Sequence, residues 1–131
     1  MELPNYLMDT NAVIDYLGKK LPPVGMNFMD DVVDEIPNVS IVTKIEVLGF
    51  SAPTEHYQLL TNFMDDAVIL ELTSDVVDMC IRIRQRCRTK LPDAIIAATA
   101  LVHDCVLISR NISDFKNIAG LQVINPYNLP L

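Results

Sequence analysis

Two hydrophobic periods alternate along the chain. Short, almost wholly apolar runs predict strands over residues 5–8, 39–42, 67–70, 105–109 and 121–124. Between them, apolar residues recur every three or four positions, the spacing of one helix face. Helices are predicted over residues 12–17, 27–35, 43–50 and 55–65, along the stripe Val76, Cys80, Ile83 and Cys87, and over residues 92–103. Thr10 or Asn11, Thr54 and the Thr73-Ser74-Asp75 group supply caps. Breakers agree with these bounds: Gly18 stops the first helix, Pro22-Pro23-Val24-Gly25 makes a turn, and Pro37 ends the second helix. Residues 51–53 form another turn, residues 110–115 a loop, and Pro126 marks the tail. Strands alternating with helices predict a three-layer α/β/α domain around a parallel sheet of about five strands. The unbroken run Val106-Leu107-Ile108 suits a strand covered on both faces.

One helix departs from the amphipathic pattern. Leu91-Pro92-Asp93-Ala94-Ile95-Ile96-Ala97-Ala98-Thr99-Ala100-Leu101 is small or aliphatic nearly all round, so most of its circumference is predicted to be buried. Pro92 suits a first helical position, where its missing N–H has no intrahelical partner, and this puts Asp93 at about the second. A carboxylate at the mouth of a buried helix calls for a reason. Its favourable meeting with the helix dipole, worth about 0.3 to 1 kcal/mol, is one.

A length of 131 residues fits one domain spanning 1–131. No segment approaches the roughly 18 apolar residues of a membrane span, and the amino terminus lacks a basic region before an apolar run, so a cytoplasmic protein is expected. Cys80, Cys87 and Cys105 form no CxxC pair and read as reduced core residues. The net charge of -7 argues against general affinity for polyanions. Yet Arg82, Arg84, Arg86, Arg88 and Lys90 gather five of the ten cations into nine positions, a strip that can contact phosphate locally. On a continuous helix Arg82, Arg86 and Lys90 line one flank of the buried stripe, and Arg84 and Arg88 the other. Covering the core edge is the simpler use of such side chains. The functional use is phosphate contact, with Arg88 and Lys90 the candidates because they are nearest Asp93.

Four acids fall where an open parallel sheet gathers its functional groups, beyond the carboxyl ends of the strands. Asp9 ends the first strand, Glu46 lies in the first helical turn after the second, and Asp114 lies in the loop after the fourth. Asp93 reaches the same edge once its helix packs antiparallel to the sheet. Each has a plain structural explanation as well: Glu46 stands three after Thr43, as in a capping box, and Asp114 follows Ser113 in a turn. The explanation for Asp9 is weakest, because Asp suits strands poorly and Asn11 could do the capping. Together the four would repel one another unless a cation offset their charge. Oxygen-only donors select Mg²⁺ or Mn²⁺. A calcium EF-hand starting at Asp9 fails, with Ile14 at its sixth position and Lys20 at its twelfth. His56, on a helix surface, and His103, at a helix end, do not suggest zinc. Neither a Gly-rich phosphate loop nor a GxSxG is present.

At Leu7-Met8-Asp9-Thr10-Asn11, Ser40-Ile41-Val42-Thr43-Lys44-Ile45-Glu46, the stretch around Asp93, and Ser109-Arg110-Asn111-Ile112-Ser113-Asp114-Phe115, the sequence resembles the PIN-domain family. Its VapC-like branch, the ribonuclease toxins of toxin–antitoxin pairs, is the nearest likeness, and the resemblance covers nearly the whole chain. It implies strand order 3-2-1-4-5, metal coordination by Asp9, Glu46, Asp93 and Asp114, and hydrolysis of RNA phosphodiesters. It also implies support of the site by Asn11 and Ser109, homodimerisation, and inhibition by a cognate antitoxin. Two features depart from the family pattern: Ser109 stands where Thr is more usual, which keeps the hydroxyl, and residues 18–38 have no counterpart in it. The expected mechanism is hydrolysis assisted by one or two Mg²⁺ or Mn²⁺ ions, with no protein nucleophile. A non-catalytic metal- or RNA-binding module, and a DNA nuclease or other phosphoesterase with the same acidic site, are the alternatives.

Overall fold

The chain order is β1 (Tyr6–Met8), α1 (Thr10–Leu17), α2 (Pro23–Asp34), β2 (Asn38–Ser40), α3 (Ile41–Leu48), α4 (Thr54–Asp66), β3 (Val68–Leu70), α5 (Ser74–Arg86), α6 (Leu91–Val102), β4 (Val106–Ile108), α7 (Ile112–Phe115) and β5 (Val123–Ile124). These elements come from a computed structural model that describes residues 4–129. All strand pairs are parallel and the sheet runs β3-β2-β1-β4-β5, the order expected.

Side-chain alternation along the strands divides the core into two halves. Leu7 and Leu107, paired across β1 and β4, face a cluster with Val76, Ile83, Ala97 and Phe115 from α5, α6 and α7. Met8, Val39 and Ile108 face the other way, onto Val13, Met29, Val47 and Phe63 of α1 to α4. This makes three layers. Helix α6 is the most buried, and its alanines let α5 lie close against it. The one hydroxyl on its buried side, Thr99, is satisfied by donating to the Ile95 carbonyl at 2.7 Å.

Several predicted boundaries shift for local reasons. The second strand ends at Ser40, not at residue 42, because the Ser40 hydroxyl accepts the Val42 N–H (3.1 Å) and opens α3 at Ile41. Pro23 is not in a turn but at the first helical position, so α2 begins four residues before the predicted 27. Asp9, rather than Thr10 or Asn11, caps α1, and Thr54 is the first residue of α4 with no side-chain cap before it. The predicted loop 110–115 coils into the single turn α7. Helix α5 ends at Arg86 and Cys87 turns extended, so Arg88 and Lys90 lie beyond the helix and the two-flank arrangement does not reach them.

Residues 18–38, without a counterpart in the family pattern, contain α2, which packs against the carboxy-terminal tail. Gly25 is buried there, and a Cβ on it would come 2.2 Å from the Pro126 carbonyl oxygen, well inside contact distance. Gly25→Ala is therefore expected to destabilise the protein by about 1–3 kcal/mol although alanine is the better helix former. Urea denaturation checks this, and an unchanged midpoint would deny the close approach.

Candidate active site

The four acids arrive from four elements. Asp9 directly follows β1, where its N–H extends the ladder to the Ile108 carbonyl (3.1 Å) and its Oδ1 accepts the Ala12 N–H (2.8 Å). It is 4% exposed. Glu46 projects from α3 and is exposed. Because Ser40 caps that helix, Glu46 lies in its second turn and the capping-box explanation built on Thr43 does not apply. Asp93 is the third residue of α6, one place later than predicted, with Pro92 second. Asp114 sits in α7, just beyond β4. Since α6 runs back toward the start of β4, its amino terminus lies at the carboxyl edge of the sheet with the others.

Electrostatics join these groups into one set. Burial lifts the Asp9 carboxyl to about 6; the Ser109 hydroxyl and the Ala12 N–H oppose the rise, while Asp93 and Asp15 add to it. Burial also raises Asp93, as do the charges of Asp114 and Glu46, against the pull of Lys90. Asp93 thus feels Asp114 and Glu46, and Asp9 in turn feels Asp93. Among the described residues, no three His, Cys, Asp or Glu side chains close into a ready metal cage. What fits a hard divalent cation is the donor set: carboxylate oxygens only, mutually repelling, one of them buried.

Supporting contacts surround them. Ser109, fully buried, stands beside Asp9 and accepts the Asn111 N–H at 3.0 Å. Asn11 follows in the first turn of α1, half-buried, and its side chain makes no hydrogen bond among the described residues. Thr10, expected only as a cap, donates its hydroxyl to Glu46 Oε1 at 2.5 Å and lies 3.3 Å from the Thr43 hydroxyl. Asp15 and Arg110 form a second unforeseen feature, an ion pair at 3.1 Å with the acid buried and the guanidinium half-exposed. The signal for Asp15 was a charge inside the apolar pattern of residues 12–17; its partner lies 95 residues away and left none.

A groove of about 530 Å³ is lined by Asp93 and Asp114 together with Arg86, Arg88 and Lys90. It reaches two of the four carboxylates; Asp9 and Glu46 lie outside its lining. A cavity of about 570 Å³ at the opposite, amino edge of the sheet, between Tyr6, Phe28 and Asp31, is away from this chemistry. Cys80 and Cys105 are buried core thiols, as expected, whereas Cys87 is half-buried at the groove wall and its Sγ lies 3.3 Å from the Asn117 carbonyl oxygen. His56 and His103 are exposed, the latter at the end of α6.

The PIN domain family profile matches residues 6–121. The chain belongs to the PIN domain family. Among solved structures, this PIN domain is similar to a chain of a toxin–antitoxin complex from Klebsiella pneumoniae, with 30% identity, 95% of this chain and 100% of that one covered, and a TM-score of 0.74. It shares its fold with a chain of the DNA-bound VapBC complex from Salmonella typhimurium (18% identity, 95% and 99% covered, TM-score 0.80). A chain of VapBC2 from Rickettsia felis, bound to a promoter DNA fragment, also shares the fold (20% identity, 92% and 97% covered, TM-score 0.77). No curated protein matches the sequence. No helix among the described residues is long and apolar enough to cross a membrane.

Proposed function

We propose that this PIN domain, residues 1–131 taken as one domain, is a metal-dependent endoribonuclease and the toxin of a VapBC-like toxin–antitoxin pair. The observation that carries the reading is the placement of Asp9, Glu46, Asp93 and Asp114 from four elements at the carboxyl edge of one parallel sheet, where the charges of Glu46 and Asp114 bear on Asp93 and that of Asp93 on Asp9. PIN domains in general are metal-dependent nucleases, and the likeness to a toxin–antitoxin complex supports a cognate antitoxin as partner. A homodimer and a cytoplasmic location belong to the same proposal.

The four carboxylates would hold one or two Mg²⁺ or Mn²⁺ ions. When bound, the metal supplies Lewis acidity for the phosphate and lowers the pKa of water. The chain's own residues fix the donors in place. Ser109 and the Ala12 N–H hold Asp9, Thr10 holds Glu46, and Asn11 opens α1 beside them. Lys90 brings positive charge to Asp93 and, with Arg88, lines the wall that an incoming phosphate chain must pass. No protein nucleophile is required.

The same chemistry serves a DNA nuclease. A cleavage assay comparing RNA with single- and double-stranded DNA separates the two: RNA cut and both DNAs intact is the expected result, and DNA cut in preference to RNA would overturn it. For the cationic wall, the double variant Arg88→Gln with Lys90→Gln is expected to bind RNA more weakly in the presence of metal while cutting at the same position. Its slope of log affinity against log salt should fall by about 0.7 for each lost single-strand phosphate contact. An unchanged slope in the folded variant would assign both cations to surface covering.

A further inference from the structure

A shallow hollow of about 480 Å³ adjoins the groove, lined by Arg84, Cys87, Arg88, Thr89 and Lys90. Cys87 to Lys90 line both, so the two share the extended segment between α5 and α6 and differ in what completes them. Asp93 and Asp114 complete the groove. Arg84 completes the hollow, whose lining holds three cations and no acid.

Seventeen acids outnumber ten cations in this chain, yet among the described residues the single ion pair is Arg110 with Asp15. Arg84, Arg88 and Lys90 are exposed and form no ion pair with those acids, although the charge of Lys90 bears on Asp93. Stabilisation of a helix carboxyl terminus accounts for Arg84 in the last turn of α5, but not for Arg88 and Lys90, which lie past its end. No acid in the lining offsets these three cations, and an anion entering the hollow would meet all of them. The anion nearest to hand, given the reading of the adjacent groove, is the next phosphate of the same nucleic acid.

We infer that the Arg84–Arg88–Lys90 cavity is a phosphate subsite, holding the phosphodiester that neighbours the one at the carboxylates. This rests on the ribonuclease reading and adds that the protein grips two consecutive phosphates of a flexible single strand, one in the groove and one in the adjoining hollow. Polarity follows, because Arg84 lines the hollow only: a phosphate added to one end of a minimal substrate engages it, and a phosphate added to the other end does not.

The test uses a dinucleoside monophosphate with no terminal phosphate, with a 5′ phosphate, or with a 3′ phosphate. In the wild type one terminal phosphate, and not the other, should raise kcat/KM about tenfold, the size of one charge-assisted contact. In Arg84→Gln, with folding verified by its melting curve, that ratio should fall toward one. The same three ligands measured by equilibrium binding with chelator present read the subsite independently of cleavage. A binding gain that Arg84→Gln removes would support the subsite even if the wild type cut none of them, an outcome that would sink the nuclease reading alone. No gain from either terminal phosphate in either measurement, or a gain that survives Arg84→Gln, overturns the inference. It is equally overturned if Arg84→Gln weakens binding of a poly-glutamate peptide and leaves the phosphate gain untouched, which would make the cavity a seat for an acidic protein segment.

Discussion

Asp9→Asn should leave a folded protein whose RNA cleavage is reduced on the order of a hundredfold or more, the scale seen when one electrostatic contributor to a transition state is removed. Asparagine caps helices as well as aspartate does, so its amide oxygen can go on accepting the Ala12 N–H. What disappears is a buried negative charge that the fold tolerates poorly. With its carboxyl at about 6 instead of 3.8, folded Asp9 takes up a proton before the unfolded chain does. Without metal the wild type should therefore gain stability as pH falls from about 6 to about 4 and lack that contribution above 6, a difference of at most on the order of 2–3 kcal/mol. Asp9→Asn should lose that pH dependence and melt higher than wild type at pH 7.5. Asp9→Ala separates the two effects, since it removes the cap as well and forfeits about 1 kcal/mol. Unaltered cleavage by Asp9→Asn, in a preparation free of contaminating nuclease, would remove Asp9 from the site.

Millimolar Mn²⁺ should raise the melting temperature of the wild type by on the order of 5–10 °C, because a ligand at a hundred times its Kd stabilises the folded state by about 2.7 kcal/mol. Asp93→Asn should show much less. Asp93 is the group on which the charges of Asp114 and Glu46 converge, with Asp9 adjoining. Its removal relieves the repulsion and takes away a central donor together, so the variant should start from a higher metal-free midpoint and gain little from the ion. An equal and negligible shift in both proteins would count against metal at Asp93.

Much of this was legible from residue patterns. The five strands, the parallel sheet and the expectation of acids at its carboxyl edge follow from alternating periods and from the rule for open sheets, whereas the strand order came only from the resemblance to the PIN-domain family. Strand and helix ends were less readable, because single side chains decide them: Ser40 turning back on Val42, or Pro23 entering a helix instead of a turn. Glu46 was placed at the correct edge beside an explanation, the capping box, that fails once α3 starts at Ile41. The contacts that steady the acids were mostly out of reach. Thr10 with Glu46 and Asp15 with Arg110 are tertiary pairs, 36 and 95 residues apart, and neither periodicity nor spacing encodes them. The groove wall was half legible: the cations were counted, but a helical projection carried them past Arg86, where the helix ends.

The most direct measurement is cleavage of an end-labelled RNA by wild type and Asp93→Asn across a Mg²⁺ titration, with a chelator arm. The coupled carboxylates predict wild-type cleavage that saturates with Mg²⁺, stops on chelation and returns when excess Mg²⁺ is added, while Asp93→Asn stays silent at the same concentrations. Cleavage that continues at an undiminished rate in chelator, or that survives Asp93→Asn, would contradict it.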